Sequence, residues 1–341
     1  MTAETPALRE QEATLGEAPE HARTEQGWAF GRWRTPIRHP ELGHRALRWL
    51  RLKEWHYTSV NCERVFLAFG LVQLGYAANV FLYLVDKERP SVAHQHVALA
   101  PLGWGLDFAP SSIEGESRWR RKGSEIRVAW QGREGRGAWE VRLDVPLGER
   151  RLRGGFRVEA ADALALLYDL GEERPAYTHK AAGLRASGSV RFGDEAIDLA
   201  GGLATLDWTR SLATRETRWK WASFAGRVGE HDLGLNLSTE IYDDPKGASL
   251  ENALWVDGRV HLLPAVSFEV PKLPAVEDWT IRSADGRVDL TFRPLGARAQ
   301  HLDLKVIRSD FVQPYGLFRG RVLGHTIDEV FGVVEDHLSV W

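Results

Sequence analysis

The sequence predicts an all-β protein: two antiparallel β-barrels in tandem behind an N-terminal arm. Three observations carry this. A tryptophan-rich strand occurs twice, as Trp55-His56-Tyr57-Thr58-Ser59 and as Trp219-Lys220-Trp221-Ala222-Ser223. A second pair of segments repeats in order, Ile197-Asp198, Gly202 and Asp207-Trp208 against Ile327-Asp328, Gly332, Glu335 and His337. Short alternating or apolar runs separated by turn residues fill most of the chain, the pattern of barrels and sandwiches. Two similar halves of unequal length divide the 341 residues into an arm (1–44), a first barrel (45–208) and a second barrel (209–341), each barrel large enough to bury its own core.

Along the chain, residues 1–27 are poor in apolar side chains and read as a mobile arm. Trp28 to Leu52 is irregular, with Pro36 and Pro40, and is expected to wrap the first barrel. In the first Trp strand, Trp55, Tyr57 and Ser59 share one face, and Glu54 and His56 the other. Val65 to Val85 carries no charge over 21 residues, which is long enough to cross a bilayer. Gly70, Gln73, Gly75 and Asn79 interrupt it, so a buried hairpin turning at Gly75–Asn79 is the better reading. His94 and His96 have the spacing of a metal pair but no third ligand, and are expected on an exposed loop. Ile126-Val128-Trp130 and Trp139-Val141-Leu143-Val145 alternate around a loop from Gly132 to Gly137. Ala161–Leu170 reads as a short helix, with Leu164, Leu167 and Tyr168 at helical spacing. Gly193-Asp194, Asp257-Gly258 and Asp285-Gly286 read as tight turns, and the barrels should part between Thr209 and Thr217.

Composition excludes several functions. Acidic and basic residues nearly balance, 47 against 44, so no basic field invites nucleic acid. Cys62 is the only cysteine, which rules out an internal disulfide and any multi-cysteine metal site. Met1 to Glu25 lacks the apolar core of a secretory signal, and a cytoplasmic protein without an integral membrane span is expected. There is no phosphate loop, no nucleophile elbow and no His-Glu-x-x-His, so neither a metal nor another cofactor is expected. Fourteen tryptophans point to large cores or to aromatic-lined cavities.

The candidate site residues follow from these patterns. Asp207, Arg210 and Arg218 crowd around Trp219 and Trp221, as at a pocket mouth, or as an inter-barrel connector whose charges pair with one another. Asn236 and the Glu251-Asn252 pair form a second group, where Glu251 is a general acid if apolar walls raise its pKa, or else a turn cap. Glu335 and His337 share one strand face, which suits proton transfer as well as a plain hydrogen bond. Trp55 and Tyr57 would add aromatic wall.

Several of these pieces together resemble an uncharacterised bacterial and fungal family, domain of unknown function 2804. They are Lys53-Glu54-Trp55-His56-Tyr57, Asp207-Trp208-Thr209-Arg210, Thr217-Arg218-Trp219-Lys220-Trp221-Ala222-Ser223, Gly234-Leu235-Asn236-Leu237 and Glu251-Asn252-Ala253-Leu254-Trp255-Val256-Asp257-Gly258. The chain is also similar in architecture to tandem lipocalin-like proteins of the calycin group, which include carotenoid hydratases and barrel-shaped pericyclases. That resemblance implies lipocalin-like barrels and transfers no site residue. The expected function is binding of an apolar or terpenoid-like small molecule in an aromatic-lined barrel pocket. Arg210 or Arg218 would orient a polar end. Asp207, Glu251, Glu335 or His337 would supply a proton for cofactor-free hydratase, isomerase or cyclase-type chemistry. The rival is a lipophilic carrier, or an interaction module with plugged barrels.

Overall fold

The computed structural model describes residues 15–43, 51–133, 136–303 and 308–341. Among these residues there is no helix, and none long and apolar enough to cross a membrane. Two large antiparallel sheets carry the molecule. The first opens with the strands Leu52–Asn61, Val65–Gln73, Ala77–Asp86 and Ala93–Pro101, and closes through Pro175–Phe192 and Leu203–Leu212. The second opens with Glu216–Val228, His231–Thr239, Ala253–Val256 and Arg259–Leu262, and closes through Val288–Asp303, Arg308–Val322 and His325–Val340. In each sheet the opening strand hydrogen-bonds to the last one, Leu52–Asn61 to Leu203–Leu212 and Glu216–Val228 to His325–Val340. That pairing lies inside each sheet, whose edges are Ala93–Pro101 and Leu106–Asp107 in the first and Arg259–Leu262 and Val266–Glu269 in the second; each sheet curls as a lipocalin-like half-barrel, and the two Trp strands hold the same place in their halves.

The equivalence extends to single residues. Tyr57 lies opposite Asp207, and Trp221 lies opposite Glu335. Trp55 lies opposite Thr209, and Trp219 opposite His337. Asp207 and Glu335 thus occupy matching sites in the two barrels.

Strand alternation divides each barrel wall into an inner and an outer face. Val60, Leu67, Phe69, Leu82, Trp119 and Trp139 are among the side chains that fill the first barrel. Phe224, Leu235, Trp279, Leu290 and Phe318 do the same in the second. The outer faces of the first sheet's opening strands meet those of Glu216–Val228, Arg308–Val322 and His325–Val340 in a third cluster around Tyr57, Phe66, Tyr83, Trp221, Tyr315 and Phe331. This seam joins the barrels. It closes to backbone contact at one point, where a Cβ on Gly234 would stand 2.2 Å from Ala182 C and from Gly183 N. Gly183 sits in a bulge of Pro175–Phe192 with φ of 72°, a conformation that favours glycine.

Local expectations fared unevenly. Val65–Gln73 and Ala77–Asp86 form the buried hairpin, but it turns at Leu74–Tyr76, and Asn79 is already in the second strand. Asp257 and Gly258 both have positive φ, 50° and 82°, as the tight turn requires. Asp285-Gly286 instead sits in a four-residue connection, Ala284–Arg287. Ala161–Leu170 is not helical: Leu164–Asp169 is a strand between Pro175–Phe192 and Gly31–Trp33. Its first four residues are all buried, and a short strand buried on both faces has no alternation to distinguish it from a helix. His94 and His96 lie half-buried on the strand Ala93–Pro101 rather than on a loop. From Leu15 onward the N-terminal segment is packed, with Leu15, Ala22, Ile37 and Leu42 buried; residues 1–14 of the expected arm lie outside the described residues.

Candidate functional site in the seam between the barrels

The tryptophans of the duplicated strand face each other across the seam, not into a barrel. Trp55 stacks on Trp219 with ring centroids 6.2 Å apart, and Tyr57 meets Trp221 edge-on at 5.4 Å. The aromatic wall expected inside a barrel is therefore an inter-barrel wall. The reason is alternation: the faces carrying Trp55, Tyr57, Trp219 and Trp221 are the outer ones, because the intervening residues fill the barrels.

Within this aromatic seam lie two polar networks. The first centres on Glu335, which is buried. Its Oε1 accepts from Trp219 Nε1 at 2.9 Å and contacts His337 Nδ1 at 3.1 Å. Its Oε2 accepts from Gln313 Nε2 at 2.6 Å. His337 Nε2 reaches Ser339 Oγ at 2.9 Å. Burial alone would push the Glu335 carboxyl up. The hydrogen bond and charge of His337, with the donors of Gln313 and Trp219, outweigh it and hold the group below the usual carboxylate range. Gln313 Oε1 in turn accepts from Arg298 at 3.1 Å and from Tyr83 at 3.3 Å.

The second network centres on Lys180, opposite Asp207 on the neighbouring strand. Its Nζ donates to Asp207 Oδ2 at 2.5 Å and stands 3.4 Å from Glu251 Oε1. The lysine's hydrogen bond goes to Asp207, which leaves Glu251 Oε1 buried with a charge nearby but no hydrogen bond of its own. Glu251 Oε2 accepts from Ser238 at 3.3 Å. Burial pushes the Glu251 carboxyl up, offset in part by Lys180 and reinforced by Asp207. Burial would lower the Lys180 ammonium, but the charges of Asp207 and Glu251 hold it above its ordinary value. Trp221, opposite Glu335 in the strand register, ties to the backbone of Glu251: its Nε1 donates to Asn236 Oδ1 at 2.8 Å, and Asn236 Nδ2 donates to the Glu251 carbonyl at 2.8 Å.

Of the residues singled out in the sequence, the seam thus gathers Trp55, Tyr57, Asp207, Trp219, Trp221, Asn236, Glu251, Glu335 and His337. Asn252 lies beside it as a turn lock, accepting from Ser238 N and donating to the Pro264 carbonyl. The two arginines are elsewhere. Arg210 points into the first barrel's side of its strand, where it pairs with Glu54 at 2.7 Å and donates to the carbonyls of Ala109 and Pro110. Arg218 is half exposed, at 51%, and stands 4.0 Å from Glu240. Alternation put it on the face away from Trp219 and Trp221. Lys180, Arg298, Gln313 and Tyr83 escaped the sequence reading. They sit on strands whose contact with the seam depends on how the barrels dock, and no local motif marks them.

Two cavities bear on the site. One of about 20 Å³ lies at the end of the seam against Trp55, Ser211, Tyr242 and Trp341, room for a single water. The other, about 240 Å³, opens at the mouth of the first barrel between Val65, Leu84, Phe192, Ile197, Arg64 and Arg150. Elsewhere, Glu20, His21 and His39 bring ligand-type atoms within 4.8 Å of one another on the N-terminal segment. His39 also approaches Glu41 and Glu114 at 3.9 Å.

Two curled antiparallel half-barrels, each with a filled core and joined by an aromatic seam, define a tandem lipocalin-like architecture. The chain belongs to the domain of unknown function 2804 family, whose model matches residues 18–341. No curated protein matches its sequence. Among solved structures it is similar to CghA bound to Sch210972, at 13% identity and a TM-score of 0.54, covering 84% of this chain and 87% of that one. It is also similar to a protein from Nitrosomonas europaea assigned as an ATTH, at 14% identity and a TM-score of 0.50, covering 84% and 92%. Kievitone hydratase from Nectria haematococca aligns at 13% identity with a TM-score of 0.47, covering 83% and 88%. At these identities the likeness concerns the fold.

Proposed function

We propose that the seam, whose resident cavity of about 20 Å³ has room for only a water, opens to bind a small, largely apolar molecule of terpenoid-like shape and exchanges protons with it, Glu251 as the acid and Glu335 as the base. The observation that carries this reading is incomplete satisfaction. The Glu251 Oε1 oxygen and the Tyr57 hydroxyl are buried at the seam, and the Tyr242 hydroxyl beside it, without hydrogen-bond partners among the described residues, as are ring nitrogens of His56 and His179 in the first barrel. Purely structural polar networks are ordinarily satisfied. The unlike environments of the two carboxylates supply the division of labour. Burial pushes the Glu251 carboxyl up, which suits it to give a proton, and Glu335, held down, is suited to take one. Protonation at one end of an unsaturated ligand and deprotonation at the other is isomerisation or cyclisation; with water as the nucleophile it is hydration. CghA, caught with Sch210972, is a similarly folded protein that holds a small molecule, which is consistent with this reading at the level of architecture.

A second reading, a lipophilic carrier, draws on the 240 Å³ cavity at the first barrel's mouth. Fluorescence titration of the full chain with isoprenoid alcohols separates the two. Seam binding quenches tryptophan emission, weakens roughly tenfold or more in Trp221→Ala, and ignores Val92→Trp at the mouth. Loss of binding in Val92→Trp, with Trp221→Ala unaffected, supports the carrier instead. No saturable binding to either place overturns both.

A further inference from the structure

Arg298 is a buried cation with no carboxylate in ion-pair contact among the described residues. It is 8% exposed, and its guanidinium carbon stands 3.8 Å from the ring centre of Phe81, 5.1 Å from that of Tyr83 and 5.5 Å from that of Phe311. Its side chain donates one hydrogen bond, to Gln313 Oε1 at 3.1 Å. Among the described residues no carboxylate oxygen lies within 4.0 Å of it, although a guanidinium offers five N–H donors. Buried charges are ordinarily paired, because burial strips their hydration.

The surroundings are shaped around this group. The Phe81 ring lies over Gly70, where a Cβ would come within 2.5 Å of it; the missing side chain lets the ring settle beneath the guanidinium. The carboxylate whose charge acts on it is Glu335, and Gln313 stands between the two, accepting from Arg298 with one end and donating to Glu335 with the other. Glu335 is already engaged by Trp219 and His337, so it is not free to turn to the arginine. The Tyr57 hydroxyl, on the facing strand, is buried and has no partner. Phe81 and Phe311 are only half-buried, so the cage reaches the surface along the seam.

We propose that Arg298 is the receptor for a carboxylate head group, so that the ligand of the seam is an amphipathic acid whose apolar body lies along the tryptophans. This rests on the seam being the binding site. Arg298 would take the carboxylate through its free donors, as guanidinium groups do bidentately, and the aromatic cage would keep the cation in place when no ligand is bound.

The test uses the full chain and two ligands with one body, farnesoic acid and farnesol, titrated into wild type, Arg298→Lys and Arg298→Met, with thermal melts run alongside. Wild type is expected to prefer the acid by on the order of tenfold to a hundredfold. Arg298→Met should lose that preference while binding farnesol as before, and Arg298→Lys should keep part of it. If Arg298→Met does not fold, the wild-type preference and the lysine variant decide the matter. Equal binding of acid and alcohol to wild type overturns the role of Arg298 and leaves the seam reading standing. Acid preference that survives in Arg298→Met also overturns it. Binding of neither ligand overturns the seam reading and this inference together.

Discussion

Lys180 shows how much rests on one side chain. It is buried with Asp207 on one side and Glu251 on the other, so removing its charge leaves two carboxylates facing each other in an apolar seam. Lys180→Met is expected to destabilise the protein by about 3–5 kcal/mol, read as a fall in the urea midpoint, with Asp207→Asn partly restoring it. Glu335 makes a pH-dependent contribution whose sign follows from its shift. Its folded-state pKa lies below the ordinary 4.5, so it adds stability above that value, and the contribution is lost as pH falls through the folded pKa. The urea midpoint of wild type should therefore drop more steeply below about pH 4.5 than that of Glu335→Gln. Identical slopes would show that the carboxylate is not held in this way. Glu335 and His337 were legible as a same-face pair, because alternation along one strand suffices to predict it. Arg298 was not, since its burial is imposed by Phe81 and Tyr83 of the other barrel.

At the scale of elements, the close approach of Pro175–Phe192 and His231–Thr239 sets how the barrels lock. A Cβ on Gly234 would meet backbone atoms of Ala182 and Gly183, which have no rotamer to yield. Gly234→Ala should cost about 1–3 kcal/mol or more, whereas Gly16→Ala, where a Cβ meets nothing within 4 Å, should leave the melting temperature nearly unchanged. A neutral Gly234→Ala would mean that the two strands do not touch as described. Gly234 was visible in the sequence at the head of Gly234-Leu235-Asn236-Leu237, one of the pieces that carry the family resemblance. Its cause was not, because contacts between strands of different sheets leave no period in either one. The same limit explains Leu164–Asp169, whose continuous apolar run reflects neighbours on both faces and carries no alternation to read.

The whole molecule depends on the seam, since Trp219, Trp221, Tyr315 and Phe331 of the second barrel are covered by Trp55, Tyr57, Phe66 and Tyr83 of the first. Residues 213–341 produced alone should expose that aromatic face, bind anilinonaphthalene sulfonate and self-associate. A half that stays monodisperse and melts cooperatively would show that the seam is dispensable for stability. The tandem arrangement was readable because duplication writes the same strand twice. The location of the aromatic wall was not, because the sequence says which residues share a face and not which face a second barrel will cover.

The matching positions of Asp207 and Glu335 have a consequence for direction. Related halves facing each other would, if identical, offer a visitor the same view from either end. Here one pole carries a lysine clamped between two acids, and the other a carboxylate wired to an imidazole. The matching strand pairings are kept by the backbone, and the likeness is broken by the chemistry. A long molecule lying across the seam would meet unlike ends, so that turning it head for tail would produce a different complex, and the seam would act as a vector rather than a mirror.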